Sequence, residues 1–175
     1  CHALVLTRAH DTDAPGDKRM QRFLKGKPVF LSSHEPYICK IIKGKSDNTD
    51  SDVASERDLE WIVGKKVYVF SGIARNNDFK NMLENLGCNI TGFAPYSDHY
   101  RYSQKDIKEI VDLSTQNKSD YVVTTEKDYF RIPDKADFPI GLAVMGVKIC
   151  FKDDGFDRFV RYRLDSILQN NRPTN

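Results

Sequence analysis

The chain has 175 residues, of which 39% are hydrophobic and 30% charged, and its formal net charge is +2. This length fits one domain, or one domain with a small appendage, and allows a substantial core. The small net charge gives no reason to expect a nucleic-acid partner, and no apolar run approaches the roughly 18 residues that a membrane-spanning helix needs.

The chain begins at Cys1, directly on the strand-like stretch "HALVLTRA", and not at methionine. We interpret it as a fragment of a longer protein. The four cysteines are far apart and form no C-x-x-C pair, so we expect reduced thiols and neither a zinc site nor a disulfide scaffold.

Short apolar runs rich in β-branched residues predict strands near 3–7, 28–31, 67–71, 90–93, 121–124 and 139–150. The stretch "PVFLSSHEPYICKII" is interpreted as two short strands that form a connecting ribbon. The polar segment 43–56, "KGKSDNTDSDVASE", is predicted to be a linker or flexible loop.

Helical periodicity follows the later strands. One helix is predicted around Phe79–Leu86 and ends at Gly87, and another begins after Ser103, a residue that can cap it together with Asp106. The last helix has a broad apolar stripe, which we expect to face the core even though arginines accompany it. The residues of this stripe are Phe156, Phe159, Val160, Leu164, Ile167 and Leu168.

Strands that alternate with helices predict an α/β fold, with a parallel sheet flanked by helices. We divide the chain into a leading piece at 1–33, a connector of ribbon and linker at 34–60, and a C-terminal α/β domain at 61–175.

A possible nucleotide site is excluded first. Gly44-Lys45-Ser46 looks like the end of a phosphate loop, but the motif G-x-x-x-x-G-K-[ST] requires glycine where Cys39 stands. The chain contains no other glycine loop that could cradle phosphates.

Three polar loops follow three predicted strands. In "SGIARNN", Gly72 permits a close backbone approach, Arg75 could reach an anion and Asn77 could cap the next helix; an ordinary turn explains the same residues. In "SDHY", Asp98 could orient His99 as a proton carrier, although an Asp-His pair is also common on surfaces.

The third loop is "TEKDYFRI". Thr125 and Asp128 match a capping box, while Glu126, Lys127 and Arg131 could line a polar cleft. Ligands of open α/β sheets gather at the carboxyl ends of the strands, where we expect all three loops to meet.

Together, "FSGIAR", "DHYRYS" and "VVTTEKDYFRI" closely resemble the C-terminal half of the tetraacyldisaccharide 4′-kinases, the lipid A 4′-kinases of Gram-negative bacteria. "ALVLTRA" and "VFLSSHEP" resemble the preceding segments of that family. The resemblance covers essentially the whole chain. Four positions depart from the family pattern: Asn76 replaces a usual proline, Tyr100 a usual histidine, and Tyr129 and Phe130 usual smaller residues.

The resemblance implies phosphoryl transfer from ATP, with Mg²⁺, to the 4′-hydroxyl of a tetraacyldisaccharide 1-phosphate at the cytoplasmic face of the bacterial inner membrane. It implies a phosphate-loop kinase architecture whose N-terminal domain precedes Cys1. That missing half would bind ATP and Mg²⁺ and contact the membrane, so we expect this chain alone to be soluble and inactive.

The resemblance also assigns site residues. His99 would work with an aspartate of the missing half, and Asp98 would assist it. Arg8, Gly72, Arg75, Glu126, Lys127 and Arg131 would bind substrate or phosphate. The alternative is a binding or regulatory α/β domain, related to such a kinase but without chemistry of its own.

Overall fold

The computed structural model describes residues 2–7, 26–44, 59–134 and 136–170. It forms two compact units: residues 36–146 make one, and residues 1–35 with 147–175 make the other. The predicted boundaries at 33/34 and 60/61 stay a prediction. The predicted linker lies outside the described residues apart from Lys43 and Gly44.

The strands are β1 (Leu4–Thr7), β2 (Val29–Ile42), β3 (Lys66–Ser71), β4 (Asn89–Pro95), β5 (Tyr121–Thr125) and β6 (Leu142–Phe151). The helices are α1 (Asn76–Asn85), α2 (Gln104–Gln116), the single turn α3 (Glu126–Tyr129) and α4 (Gly155–Asn170), and a short 3₁₀ helix spans Leu59–Ile62. Strands β2 and β6 contribute residues to both units.

The unit of residues 36–146 contains a sheet whose neighbouring strands are β2, β6, β5, β3 and β4. The pairs β3–β4, β3–β5 and β5–β6 are parallel. The fold is a mostly parallel α/β sheet flanked by helices, which confirms the predicted fold class.

Helices cover both faces of this sheet, and alternate side chains of each strand point to opposite faces. Val67 and Val69 of β3 join a cluster that α1 covers with Phe79 and Leu83. Tyr68 and Phe70 join a second cluster, which α2 covers from the other side. The members of α2 in that second cluster are Ile107 and Ile110.

In segment 28–42, predicted as two short strands, residues Val29–Ile42 form the single strand β2. Pro36 lies inside it. A proline has no N–H to give to a strand ladder, so it is tolerated where one side of the strand has no paired neighbour. The pairing of β2 with β1 ends at Ser32, before the proline is reached.

In the unit of residues 1–35 and 147–175, β1 pairs in parallel with residues 29–32 of β2. Phe30 contacts Phe156 and Phe159 at ring-centroid distances of 5.3 and 5.4 Å, and Phe151 stacks on Phe156 at 4.2 Å. These aromatic contacts hold the first turns of α4 against the strands.

The apolar stripe of α4 is only partly buried, so the expectation that it faces the core is wrong for its second half. Leu164, Ile167 and Leu168 are 54%, 55% and 65% exposed. Periodicity shows that a helix has an apolar face, but it does not show whether another element covers that face. None of the described helices is long and apolar enough to cross a membrane.

Leu83→Ala should lower the free energy of unfolding by about 2–5 kcal/mol, because it leaves a cavity in the cluster under α1 where Leu83 is fully buried. Urea denaturation of the 175-residue chain measures the change. Leu164→Ala is the matched control and should change stability by no more than about 0.5 kcal/mol. Equal losses from both variants would contradict the exposure of the α4 stripe.

Candidate functional site

The three polar loops meet at one edge of the sheet. They follow β3, β4 and β5, and because β4 and β5 both pair in parallel with β3, the three carboxyl ends lie side by side. The His99 N–H donates to the Gly72 carbonyl at 3.0 Å, and the Gly72 N–H donates to Asp128 Oδ2 at 3.1 Å. This confirms the prediction that the loops share one edge.

A fully buried carboxylate, that of Asp128, links these loops. Its Oδ2 accepts hydrogen bonds from the Gly72 amide and, at 2.6 Å, from the Thr125 hydroxyl. Its Oδ1 accepts from Arg131 Nη1 at 3.3 Å. Thr125 also caps α3, as predicted, because its Oγ1 accepts from the Asp128 N–H at 3.1 Å. The buried charge is therefore both paired and hydrogen-bonded, as burial requires.

Arg131 extends this network to the surface. Besides its bond to Asp128, Nη1 donates to the Gly72 carbonyl at 3.3 Å. Its other terminal nitrogen, Nη2, lies 3.0 Å from His99 Nδ1. The planar guanidinium suits this arrangement because it has several N–H donors in fixed directions.

The His99 side chain is exposed to solvent, and its backbone has an unusual conformation. Its φ is +62°, in the left-handed region that few non-glycine residues occupy, and its side chain is 79% exposed. Because arginine can only donate, Nδ1 of the imidazole accepts in this contact, and the proton of the neutral ring belongs to Nε2. Nε2 lies 3.8 Å from Asp98 Oδ2, near enough for attraction but too far for a hydrogen bond.

A surface pocket of about 560 Å³ opens beside His99. Arginine and histidine side chains share its wall with aromatic and aliphatic ones. The lining residues are His99, Arg101, Tyr102, Phe130, Arg131, Ile132 and Pro133. Such a wall suits a ligand that carries an anionic group on a larger, less polar body.

Tyrosines form the support behind this pocket. The rings of Tyr96, Tyr100 and Tyr102 contact one another at centroid distances of 4.7–5.3 Å. Burial, and then the negative charge of Asp128, raise the pKa of Tyr102, so its hydroxyl stays protonated. That hydroxyl is buried, and its interaction with the Asp128 side chain as an acceptor adds to the raised pKa.

Several predicted site residues lie elsewhere. Arg75 is exposed and pairs with Asp78 at 3.4 Å. Glu126 accepts a hydrogen bond from the Tyr37 hydroxyl at 3.3 Å and also contacts Cys39. Burial, and then the charge of Glu126, raise the pKa of the Cys39 thiol. Lys127 is exposed. None of these three lines the pocket described above, and Arg8 lies outside the described residues.

The first loop is fastened by Asn76, and the expectation that Asn77 caps α1 is wrong. Asn76 Oδ1 accepts from the Ser71 hydroxyl at 2.7 Å and from the Ile73 amide at 3.2 Å. Its Nδ2 donates to the Tyr96 carbonyl at 2.7 Å. Arg75 occupies the N-cap position without a side-chain bond. Asn76 lies one residue before the expected cap, and its bond to the Tyr96 carbonyl joins the first loop to the second.

Sequence reasoning missed the central role of Asp128, which it treated as a helix cap alone, and it did not select Arg101 or Tyr102. The local signal from Thr125 to Asp128 was visible. The contact between His99 and Arg131, 32 positions apart, had no local signal.

The part of the chain that the structure describes contains no group of three or more His, Cys, Asp or Glu residues that could hold a metal ion. Its sequence contains no phosphate loop.

Comparison with known proteins identifies relatives. The family model "LpxK: Tetraacyldisaccharide-1-P 4'-kinase" matches residues 1–165. Tetraacyldisaccharide 4′-kinases of Syntrophus aciditrophicus and Rickettsia bellii are 31% and 33% identical over 109 and 119 residues, or 62% and 68% of this chain. That of Desulfatibacillum aliphaticivorans is 28% identical over 80% of the chain.

The chain spans about a third of the length of these relatives, with coverages of 27%, 33% and 38%. Among solved structures, a crystal structure of LpxK from Aquifex aeolicus in complex with ATP matches 91% of this chain and 42% of that one. The TM-score is 0.51 and the identity 22%, a similarity that supports the fold alone.

A pH-dependent contribution to stability arises where the second loop enters α2. Hydrogen bonds from the Ser103 hydroxyl and amide lower the pKa of Asp106. A lowered folded-state pKa stabilises the fold above the unfolded value of about 3.9, and this contribution disappears as the pH falls through the lowered pKa. Ser103→Ala should therefore destabilise by about 1 kcal/mol near neutral pH and by less in strong acid, because protonation weakens only the bond from the Ser103 hydroxyl to the carboxylate and leaves the cap bond from the Asp106 N–H to the Ser103 hydroxyl.

Urea denaturation at a series of pH values from neutral to strongly acidic measures this difference. Ser97→Ala, in the same loop but outside the capping box, should follow the wild-type pH dependence. A Ser103→Ala deficit that stays constant as the pH falls would contradict the proposed origin.

Proposed function

Because this chain belongs to the tetraacyldisaccharide-1-P 4′-kinase family, we propose that it forms the C-terminal part of a kinase that phosphorylates the 4′-hydroxyl of a tetraacyldisaccharide 1-phosphate. The observation that carries the proposal is the position of His99. The residue to which the resemblance gives a catalytic role lies on the wall of the pocket, and Arg131 holds its ring.

Phosphorylation of a sugar hydroxyl requires its proton to leave as the oxygen attacks phosphorus. His99 Nε2–H points to the free side of the ring, because Nδ1 is occupied by Arg131. In the proposed site, Nε2–H donates to a carboxylate base supplied from outside this chain. That base takes the hydroxyl proton, and the imidazole orients it. Asp98, on the same side at 3.8 Å, adds negative charge near Nε2.

The pocket supports a substrate with an anionic group. Arg101 provides positive charge, and Phe130, Ile132 and Pro133 provide an apolar wall beside it. A phosphorylated disaccharide that carries acyl chains combines these two properties. We place the intact kinase at the cytoplasmic face of the bacterial inner membrane, with ATP and Mg²⁺ bound by a separate phosphate-loop domain.

His99→Ala should lower kcat by about 10²-fold or more in the intact protein that carries this chain, with much smaller changes in the melting temperature and in KM for ATP. Asp98→Asn should have a similar or milder effect, because Asp98 acts through the imidazole. The measurement is a kinase assay with tetraacyldisaccharide 1-phosphate and ATP.

His34→Ala is the matched control, since it removes an exposed imidazole that lies on β2 and does not line the pocket. Near-wild-type kcat in His99→Ala would refute the catalytic role. An intact wild-type protein that fails to phosphorylate the disaccharide would favour a binding domain without chemistry.

Residues 1–175 alone should not bind Mg-ATP tightly. A tight site needs several backbone N–H groups that converge on the phosphates, and isolated lysines cannot replace them. Isothermal titration calorimetry with Mg-ATP provides the measurement, and the intact protein is the positive control. Low-micromolar binding to residues 1–175 would contradict the proposal that a separate phosphate-loop domain binds ATP.

A further inference from the structure

We propose that Arg131, held by the buried carboxylate of Asp128, is the positioning residue that fixes the His99 imidazole in the kinase reaction. This inference rests on the proposed function of the same pocket. It adds a residue that acts through His99 and does not itself touch the reacting atoms.

The first support is the continuous line of contacts. Asp128 Oδ1 accepts from Arg131 Nη1 at 3.3 Å, and Arg131 Nη2 lies 3.0 Å from His99 Nδ1. Asp128 is fully buried, whereas the Arg131 side chain is 22% exposed and that of His99 is 79% exposed. The series of contacts therefore connects the buried Asp128 carboxylate to the His99 ring, which is mostly exposed to solvent.

The second support is that the ring needs such a contact. A side chain as exposed as that of His99 has little packing to restrict its χ angles, and a freely rotating ring loses the orientation that catalysis requires. The backbone is already fixed by the hydrogen bond from the His99 amide to the Gly72 carbonyl. The backbone does not determine the direction of the imidazole ring, whereas the bond to Arg131 does.

The third support is the direction of hydrogen bonding. Arginine has donors only, so its contact fills the lone pair of Nδ1 and presents Nε2–H on the opposite side of the neutral ring. Asp98 and the Arg131 guanidinium are the charged groups in contact with the imidazole, and Arg101 lines the same pocket. Lysine could reach either Asp128 or His99 as a single point donor, but it lacks the fork that joins both.

The test is a set of variants in the intact kinase. Arg131→Met should lower kcat by about 10-fold or more while KM for ATP stays within about 2-fold, because ring orientation matters in the transition state more than in nucleotide binding. Arg131→Lys should recover part of the loss. Arg158→Met is the matched control: it breaks an exposed arginine–aspartate pair on α4 and should leave kcat unchanged.

A double-mutant cycle separates positioning from direct substrate binding. If Arg131 acts through the imidazole, Arg131→Met should cause no further loss of kcat in the His99→Ala background. An equal loss in both backgrounds would overturn the inference, because Arg131 would then act on the substrate directly. Wild-type kcat in Arg131→Met would also overturn it.

A spectroscopic measurement does not depend on activity. In ¹⁵N-histidine NMR spectra, the Nδ1 resonance of neutral His99, assigned by its loss in His99→Gln, should move downfield in Arg131→Met as its hydrogen-bond donor is lost. An unmoved resonance would overturn the inference even if the protein were no kinase, so its failure is distinct from failure of the proposed function. Should Arg131→Met not fold, Arg131→Ala provides the same comparison, because it also removes the donor to Nδ1.

Discussion

The arrangement of the site depends on the burial of one carboxylate. Asp128 is fully buried, and its oxygens accept bonds from a backbone amide, a hydroxyl and a guanidinium. An unpaired buried charge costs several kcal/mol, so the loss of any of these partners would destabilise the fold. Because these partners belong to the loops after β3 and β5, the cost of leaving a buried charge unpaired keeps these two loops in register at the sheet edge.

Gly72 shows how far this constraint extends. Its amide donates to Asp128, and its carbonyl accepts from the His99 amide and from Arg131. The close approach leaves little room for a side chain, since a Cβ at this position would lie 3.0 Å from the Ser97 carbonyl and 3.1 Å from the Tyr100 Cβ, and these neighbours would have to shift. Glycine favours this position through close packing and not through a positive φ, and the packing positions the backbone of the loop that carries His99.

Sequence patterns predicted the elements but not the network that joins them. The continuous apolar run of β3 and the spacing of Phe79 and Leu83 are local signals of burial, and the strands and helices form where these signals occur. The stripe on α4 is just as periodic, yet its second half is exposed, because a pattern cannot specify what covers it. The Arg131–His99 contact depends on the pairing of β5 and β4 with β3, and no window of sequence contains both residues.

The positions where the motif resemblance predicts a departure from the family pattern lie around this network and not within it. Asn76 forms three hydrogen bonds that a proline could not form, and Tyr100 packs among the tyrosines behind the pocket. Phe130 is 78% exposed and contributes apolar surface to the pocket wall. Among these positions, Phe130 lines the pocket, so its substitution changes the shape and polarity that a ligand meets, while it takes no part in the bonds among Asp128, Arg131 and His99. The geometry thus separates the residues that fix the imidazole from a residue of the pocket wall that contacts the ligand.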